Sequence, residues 1–377
     1  MISDRPTMPV LVERHRGFDD GYRMHCDCGG TSYISAVDYH AKSTVDALMP
    51  CEHCEGTIHF GPAVAALRDR DDRALDNGQI NTLAWYHTST QPDWPSTNYA
   101  SERKAALLLA AARVIPADRV DALVERQLSQ TLHVGTYEAA IENMLRRMDD
   151  QDDGASQFYL HRVALAVDPD RVNEGYRDEN HEEAAHLATT ELRQSGLDAV
   201  RYLNVRESAG SLSLAVLPET ITHVQTASLP ITTLVPAHSD SLHGLLEQTQ
   251  GALDGLDAHT PDTSAIPHHQ LRLRELRGPD PDEIAAASTA YWSKHHELWE
   301  ALTAALVEEH LVNVSPVVQE DFTDAMSAWL DAQTPATPRQ FADFFAASAV
   351  ALTRPDAVKA LLATYEPRAM PATSGTQ

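Results

Sequence analysis

The chain has 377 residues, with an apolar share of 43% and a charged share of 22%, which excludes wholesale disorder and suggests two or three compact units. Fifty-five acids against 29 bases leave a formal charge of −26, so a general attraction to phosphate backbones is not expected, although a local basic groove is compatible with it. No apolar run approaches the ~18 residues a membrane span requires, and the first residues lack a basic head followed by an apolar core, so a soluble cytoplasmic protein without membrane partners is expected.

The first feature along the chain is its cysteine cluster. Cys26 and Cys28 stand in HCDCGG and Cys51 and Cys54 in CEHCEGTIHF, and no cysteine follows them. Two close pairs near one another read as a four-thiolate zinc site, each pair wrapping its backbone around one side of the ion. Strand-like runs at 33–37 and 57–60 complete the expectation of a small zinc ribbon over 1–62, with a structural ion that closes a loop too small for its own core. The first pair is CxC where ribbons have CxxC, and His25 and His53 lie close enough to replace a thiolate.

From 63 to 226 an α+β unit is expected. A helix at 62–75 leads to a strand at 81–90, helices at 101–113 and 117–130, a strand at 131–136 and a helix at 137–148. A strand at 157–167, a helix at 179–194 and two strands at 199–204 and 211–216 follow. HEEAAH at 181–186 is no zinc-protease motif, because its histidines are five apart and point about 140° away from each other on a helix. GxGxxG, GxxxxGK[ST] and GxSxG are all absent, which leaves no marked nucleotide cradle or nucleophile elbow.

What remains is WYHTST at 85–90, HVGTYEAA at 133–140, FYLHRVAL at 158–165 and GLDAVRYLNVRESAGSLSLAVLPETI at 196–221. In this order the segments resemble the ADP-ribosyltransferase superfamily, in the divergent versions found in phage, mobile-element and toxin proteins. The resemblance covers the middle of the chain and implies a split β-sheet fold and NAD as substrate. It implies that His87 hydrogen-bonds the nicotinamide ribose and that Tyr137 or Thr136 seats the nicotinamide. Glu207 would hold the ribose and stabilise the developing cation, while Tyr86, Thr88, Gly135 and Asn204 would complete the cofactor site. A preorganised carboxylate beside an oxocarbenium-like centre favours the transition state over the ground state. Val205 stands two positions before Glu207, so the ExE pair that accompanies arginine modification is missing, and His133 rivals His87 for its role.

The last third is expected to be a linker at 227–279 with a short helix near 240–253, then an all-α domain at 280–366 and a disordered tail at 367–377. Four helices have legible starts, at Asp280-Pro281, Ser315-Pro316, Thr337-Pro338 with Gln340 closing a capping box, and Pro355. Two functions fit the whole: an enzyme transferring ADP-ribose to a protein or nucleic-acid acceptor chosen through the ribbon, or a non-catalytic zinc-ribbon adaptor.

Overall fold

A computed structural model describes residues 8–14, 17–18, 21–35, 37–39, 47–60, 66–95, 117–151, 153–178, 186–205, 207–256, 281–333 and 336–371. Its strands are β1 (Gly21–His25), β2 (Thr31–Ser35), β3 (Ala47–Pro50), β4 (Thr57–Phe60), β5 (Trp85–Ser89), β6 (Leu132–Val134), β7 (Phe158–Leu165), β8 (Arg177–Asp178), β9 (Ala199–Leu203), β10 (Leu212–Val216), β11 (Ile221–Leu229) and β12 (Arg368–Ala369). Its α-helices are α1 (Ala117–Leu128), α2 (Tyr137–Asp150), α3 (Thr189–Gln194), α4 (Asp240–Asp254), α5 (Pro281–His310), α6 (Pro316–Ala332), α7 (Pro338–Thr353) and α8 (Pro355–Ala363). The fold is mixed α and β, with a helical C-terminal region. No helix among the described residues is long and apolar enough to cross a membrane.

The N-terminal module is two antiparallel hairpins, β1–β2 and β3–β4, around a small apolar cluster of Met24, Ile34, Tyr39, Cys51 and Ile58. The central strands form two four-stranded sheets, β6-β10-β9-β8 and β12-β11-β7-β5. An antiparallel bridge joins them, where Tyr86 and Gly135 exchange main-chain hydrogen bonds of 3.0 and 2.9 Å. The pleat explains why β5 serves two cores: Trp85 points into the apolar layer shared with Val163, Leu214 and Val216, while Tyr86 points oppositely toward α2. Gly135 sits where the sheets meet because a Cβ there would lie 2.5 Å from the Ser213 hydroxyl.

Several expectations change. The described residues before β1 do not belong with the cysteine module: Val12 bridges Leu83, and Leu11 and Phe18 enter the large core. The helix expected at 62–75 is replaced, over its described part, by turns and a 3-10 segment (Arg73–Leu75). Asp69, Asp72 and Asp76 each accept a hydrogen bond from the backbone N–H two residues on, which offers the chain a turn in place of a helix. The helices expected at 101–113 and over 179–185, and the far end of the linker, lie outside the described residues. Of the expected helix at 179–194, Thr189–Gln194 is α-helical.

The linker was expected to begin at 227, yet β11 runs to Leu229 and pairs with β7 along its length. The tail is also not wholly unstructured, since Arg368 and Ala369 pair with Val224 and His223, and the Arg368 guanidinium donates to the Asp93 and Trp94 carbonyls. Nor do the C-terminal helices form a core of their own. One apolar cluster joins Ile141, Leu145, Leu160 and Ala227 to Leu302, Phe322, Phe345 and Leu362. Polar ties reinforce it: Gln225 Nε2 donates to the Ala363 and Tyr365 carbonyls at 2.9 and 2.8 Å, and buried Lys359 faces buried Glu138 at 3.7 Å.

Candidate active site and metal centre

The four cysteines converge as their spacing requires. Cys26 Sγ lies 3.6 Å from Cys54 Sγ, Cys28 Sγ lies 3.8 Å from Cys51 Sγ, and all four sulfurs fall within 4.8 Å of one another. Tetrahedral zinc with bonds of about 2.3 Å sets its sulfurs about 3.8 Å apart, so the donor set fits an ion such as zinc. Local turns build the site. The Gly29 N–H donates to the Cys26 carbonyl at 2.8 Å with a φ of +82°, and the Glu55 N–H donates to the Cys51 carbonyl at 3.0 Å. Main-chain N–H groups aim at the sulfurs, Gly30 at Cys28 (3.4 Å) and His53 at Cys51 (3.3 Å). The His53 contact leads the interactions that pull the Cys51 thiol down to about 6. His53 stands outside the cluster of four donors, and its Nε2 meets the Thr31 carbonyl at 2.9 Å.

The segment leaving this module touches the central domain. Ala66 N–H donates to the Arg23 carbonyl of β1, and Arg68 N–H donates to the Gly210 carbonyl at 2.9 Å. Gly210 has a φ of +78°, and a Cβ there would meet the Ala66 carbonyl at 2.7 Å. The cysteine module is therefore tied to the β9–β10 hairpin loop that carries Glu207.

That loop is clamped onto α2. Glu142 accepts the Ser208 N–H at 2.5 Å, while Arg146 Nε and Asn143 Nδ2 donate to the Glu207 carboxylate at 2.7 and 3.3 Å. Asn143 and Arg146 lie three apart on one face of α2, so a single helix positions the whole loop. On the neighbouring strand, the His133 ring meets the Tyr202 hydroxyl at 2.9 Å. Burial holds His133 down to about 4, against the opposing pull of the Glu207 carboxylate.

His87, half-buried at the centre of β5, stacks on Trp94 with centroids 4.1 Å apart and planes 21° apart. It pairs in register with His161 of β7, whose ring lies 6.2 Å away. Burial, then the neighbouring His161, Arg147 and His133, keep the His87 imidazole well below its ordinary range. His161 is fully buried between the Ser89 and Thr226 hydroxyls, 3.0 Å from each, and burial lowers it to about 3. Both rings are neutral at physiological pH, each able to donate one hydrogen bond and accept another. His133 thus lies within electrostatic reach of both His87 and Glu207.

No protein-family model matches the chain, and no curated protein or solved structure matches it significantly. Its reading rests on its own geometry.

The remaining sequence-derived candidates turn inward. Tyr137 is 1% exposed, donates its hydroxyl to the Ala351 carbonyl at 2.8 Å and packs edge-on against Tyr86, so its ring offers no face to a ligand. Thr136 caps α2 by accepting the Ala139 N–H, and Thr88 donates to the Ala140 carbonyl at 2.6 Å. The Tyr86 hydroxyl donates to Glu13 at 2.7 Å. Asn204 staples its own hairpin, donating to the Ser211 and Ser213 hydroxyls at 2.9 and 2.8 Å. These residues shape the seam and do not line a cleft. Sequence reasoning missed Asn143, Arg146, Arg147 and His161. The available signal was that Asn143 and Arg146 lie three apart on a helix and so share one of its faces.

Proposed function

We propose that the chain is an NAD-dependent ADP-ribosyltransferase-like enzyme, with a cysteine-bound zinc that holds an acceptor-recognition module beside its active site. The observation that supports this reading is that His133 of β6 lies within electrostatic reach of both His87 of β5 and Glu207 of the β9–β10 loop. In the reaction the glycosidic C–N bond of NAD breaks, and nicotinamide leaves with the bonding electrons. An acceptor nucleophile bonds the ribose carbon and releases a proton. Neutral His87 is suited to hydrogen-bond a ribose hydroxyl. Glu207, kept in place by Arg146 and Asn143, supplies negative charge beside the forming cation. The tie from Arg68 to Gly210 anchors the segment leaving the cysteine module on the loop that carries Glu207, which supports a role for the module in presenting the acceptor.

The test is nicotinamide release from NAD, with and without cell extract as a source of protein and nucleic-acid acceptors. Wild type should release nicotinamide. Glu207→Gln should lower the rate a hundredfold or more, since one such group contributes about 2.7–4 kcal/mol in the transition state. NAD affinity should hardly change. Absence of turnover in wild type under every condition would overturn the reading.

One observation favours a second reading, a binding adaptor without catalysis. Glu207 is engaged in an ion pair with Arg146, and five other candidate residues are committed to the fold's own hydrogen bonds. The adaptor predicts no NAD binding by calorimetry, whereas the enzyme predicts a saturable isotherm.

A further inference from the structure

A second cluster of metal-binding side chains lies far from the cysteines in sequence, on elements of the helical region. His238 precedes α4, and Glu309 and His310 are the last two residues of α5. His238 Nδ1 lies 3.2 Å from His310 Nε2, 3.9 Å from Glu309 Oε1, and the latter two atoms are 3.7 Å apart. Three potential donors thus face one point from two elements. Both histidine side chains are nearly covered, at 5% and 3% exposure, while the Glu309 carboxylate keeps a partly open side.

The surrounding contacts orient these donors. His238 Nε2 meets Asp343 Oδ1 of α7 at 3.2 Å. A carboxylate at Nε2 places the proton there and leaves the Nδ1 lone pair directed at His310 and Glu309, the carboxylate–histidine arrangement that orients ligands in metal sites. Ser239 fixes the Glu309 carboxylate, donating its N–H to Oε1 at 3.0 Å and its hydroxyl to Oε2. Asp343 is itself paired with Arg339 at 3.4 Å, so it balances charge without joining the donors.

We propose that His238, Glu309 and His310 bind a divalent transition-metal ion of the zinc class, with a fourth position open to water. Two imidazole nitrogens and one carboxylate suit zinc over magnesium or calcium, which prefer sets made of oxygen. With bonds of about 2.0–2.2 Å, tetrahedral zinc places its donors about 3.3–3.6 Å apart. The observed 3.2, 3.7 and 3.9 Å reach that shape with shifts of a few tenths of an ångström. The ion would clip the end of α5 to the start of α4, with α7 held through Asp343. That position has a mechanical consequence. The first half of α5 is largely exposed, as at Trp292, and the helix is anchored by Trp299, Leu302 and Leu306 near the clip. This site is independent of the proposed NAD chemistry.

The experiment titrates chelator-stripped full-length protein, kept reduced, with zinc(II) and cobalt(II). Wild type should bind two zinc ions per chain. Cys51→Ser with Cys54→Ser should bind one, and its cobalt form should show weak visible ligand-field bands without the intense sulfur-to-cobalt charge transfer of a thiolate site. Adding His310→Ala to that variant should abolish those bands. Asp343→Asn, which leaves the three donors intact, should weaken cobalt binding at this site about 10–100-fold and serves where His310→Ala unfolds the protein. A wild-type stoichiometry of one would overturn the proposal, as would a cysteine-deficient variant with no ligand-field bands or cobalt affinity unchanged by Asp343→Asn.

Discussion

Replacing Tyr137 with Phe separates a structural role from a ligand-facing one. The ring would stay where it is, edge-on to Tyr86 at 5.4 Å and to Phe18 at 6.3 Å, with the Lys359 ammonium 4.8 Å above it. Only the hydroxyl would go, and with it the 2.8 Å hydrogen bond to the Ala351 carbonyl. That carbonyl is in the last turn of α7, where carbonyls run out of helical partners. A buried hydrogen bond contributes about 0.5–1.5 kcal/mol net, and an acceptor stranded without water adds to the loss. The expected destabilisation is about 1–2 kcal/mol, or a fall of roughly 2–4 °C in melting temperature. Urea unfolding followed by tryptophan fluorescence measures it, alongside an NAD titration at a temperature where both proteins are folded. NAD affinity should match wild type. An unchanged unfolding midpoint together with a tenfold loss of NAD affinity would refute the argument and return the ring to the cofactor site.

Three further outcomes are expected. Gly135→Ala should destabilise by about 1–3 kcal/mol, since the new methyl meets the Ser213 hydroxyl at 2.5 Å and Asn204 holds that serine in place; a neutral melt would contradict this packing. Below pH 6.5 the protein should lose stability on acidification. Burial holds His161 and His133 at folded values of about 3 and 4, so the unfolded chain binds protons that the folded chain refuses, at up to about 1.4 kcal/mol per pH unit for each ring. Their contribution is intact above pH 6.5, and His161→Gln should make the decline between pH 7 and 5.5 shallower. Stripping the metal, or Cys54→Ser, should open the 21–60 hairpins to protease while the central and helical core keeps its melting transition, because the module's own apolar cluster is small. Equal protease resistance with and without metal would argue against a metal-held module.

What the sequence determined by itself was local. The cysteine pairs needed only short turns, and Gly29 and Gly56 mark them, so the metal cluster was legible from spacing. The helix starts at Ser315, Thr337 and Pro355 were legible because capping is a matter of three or four adjacent residues, and the Thr337–Gln340 box forms as expected. The Asp-rich 69–76 stretch shows the limit even of local reading, since its side chains bond their own backbone and override the helical pattern. Tertiary structure decided which polar groups remain available. Tyr137 carries suitable chemistry, but its partner Ala351 is supplied by folding, and a group already hydrogen-bonded in the core cannot turn to a ligand. It also decided that α2 would hold Glu207 and that His238 would meet His310. Such contacts join residues dozens of positions apart through burial of apolar surface, and periodicity identifies an apolar face without naming the element that covers it.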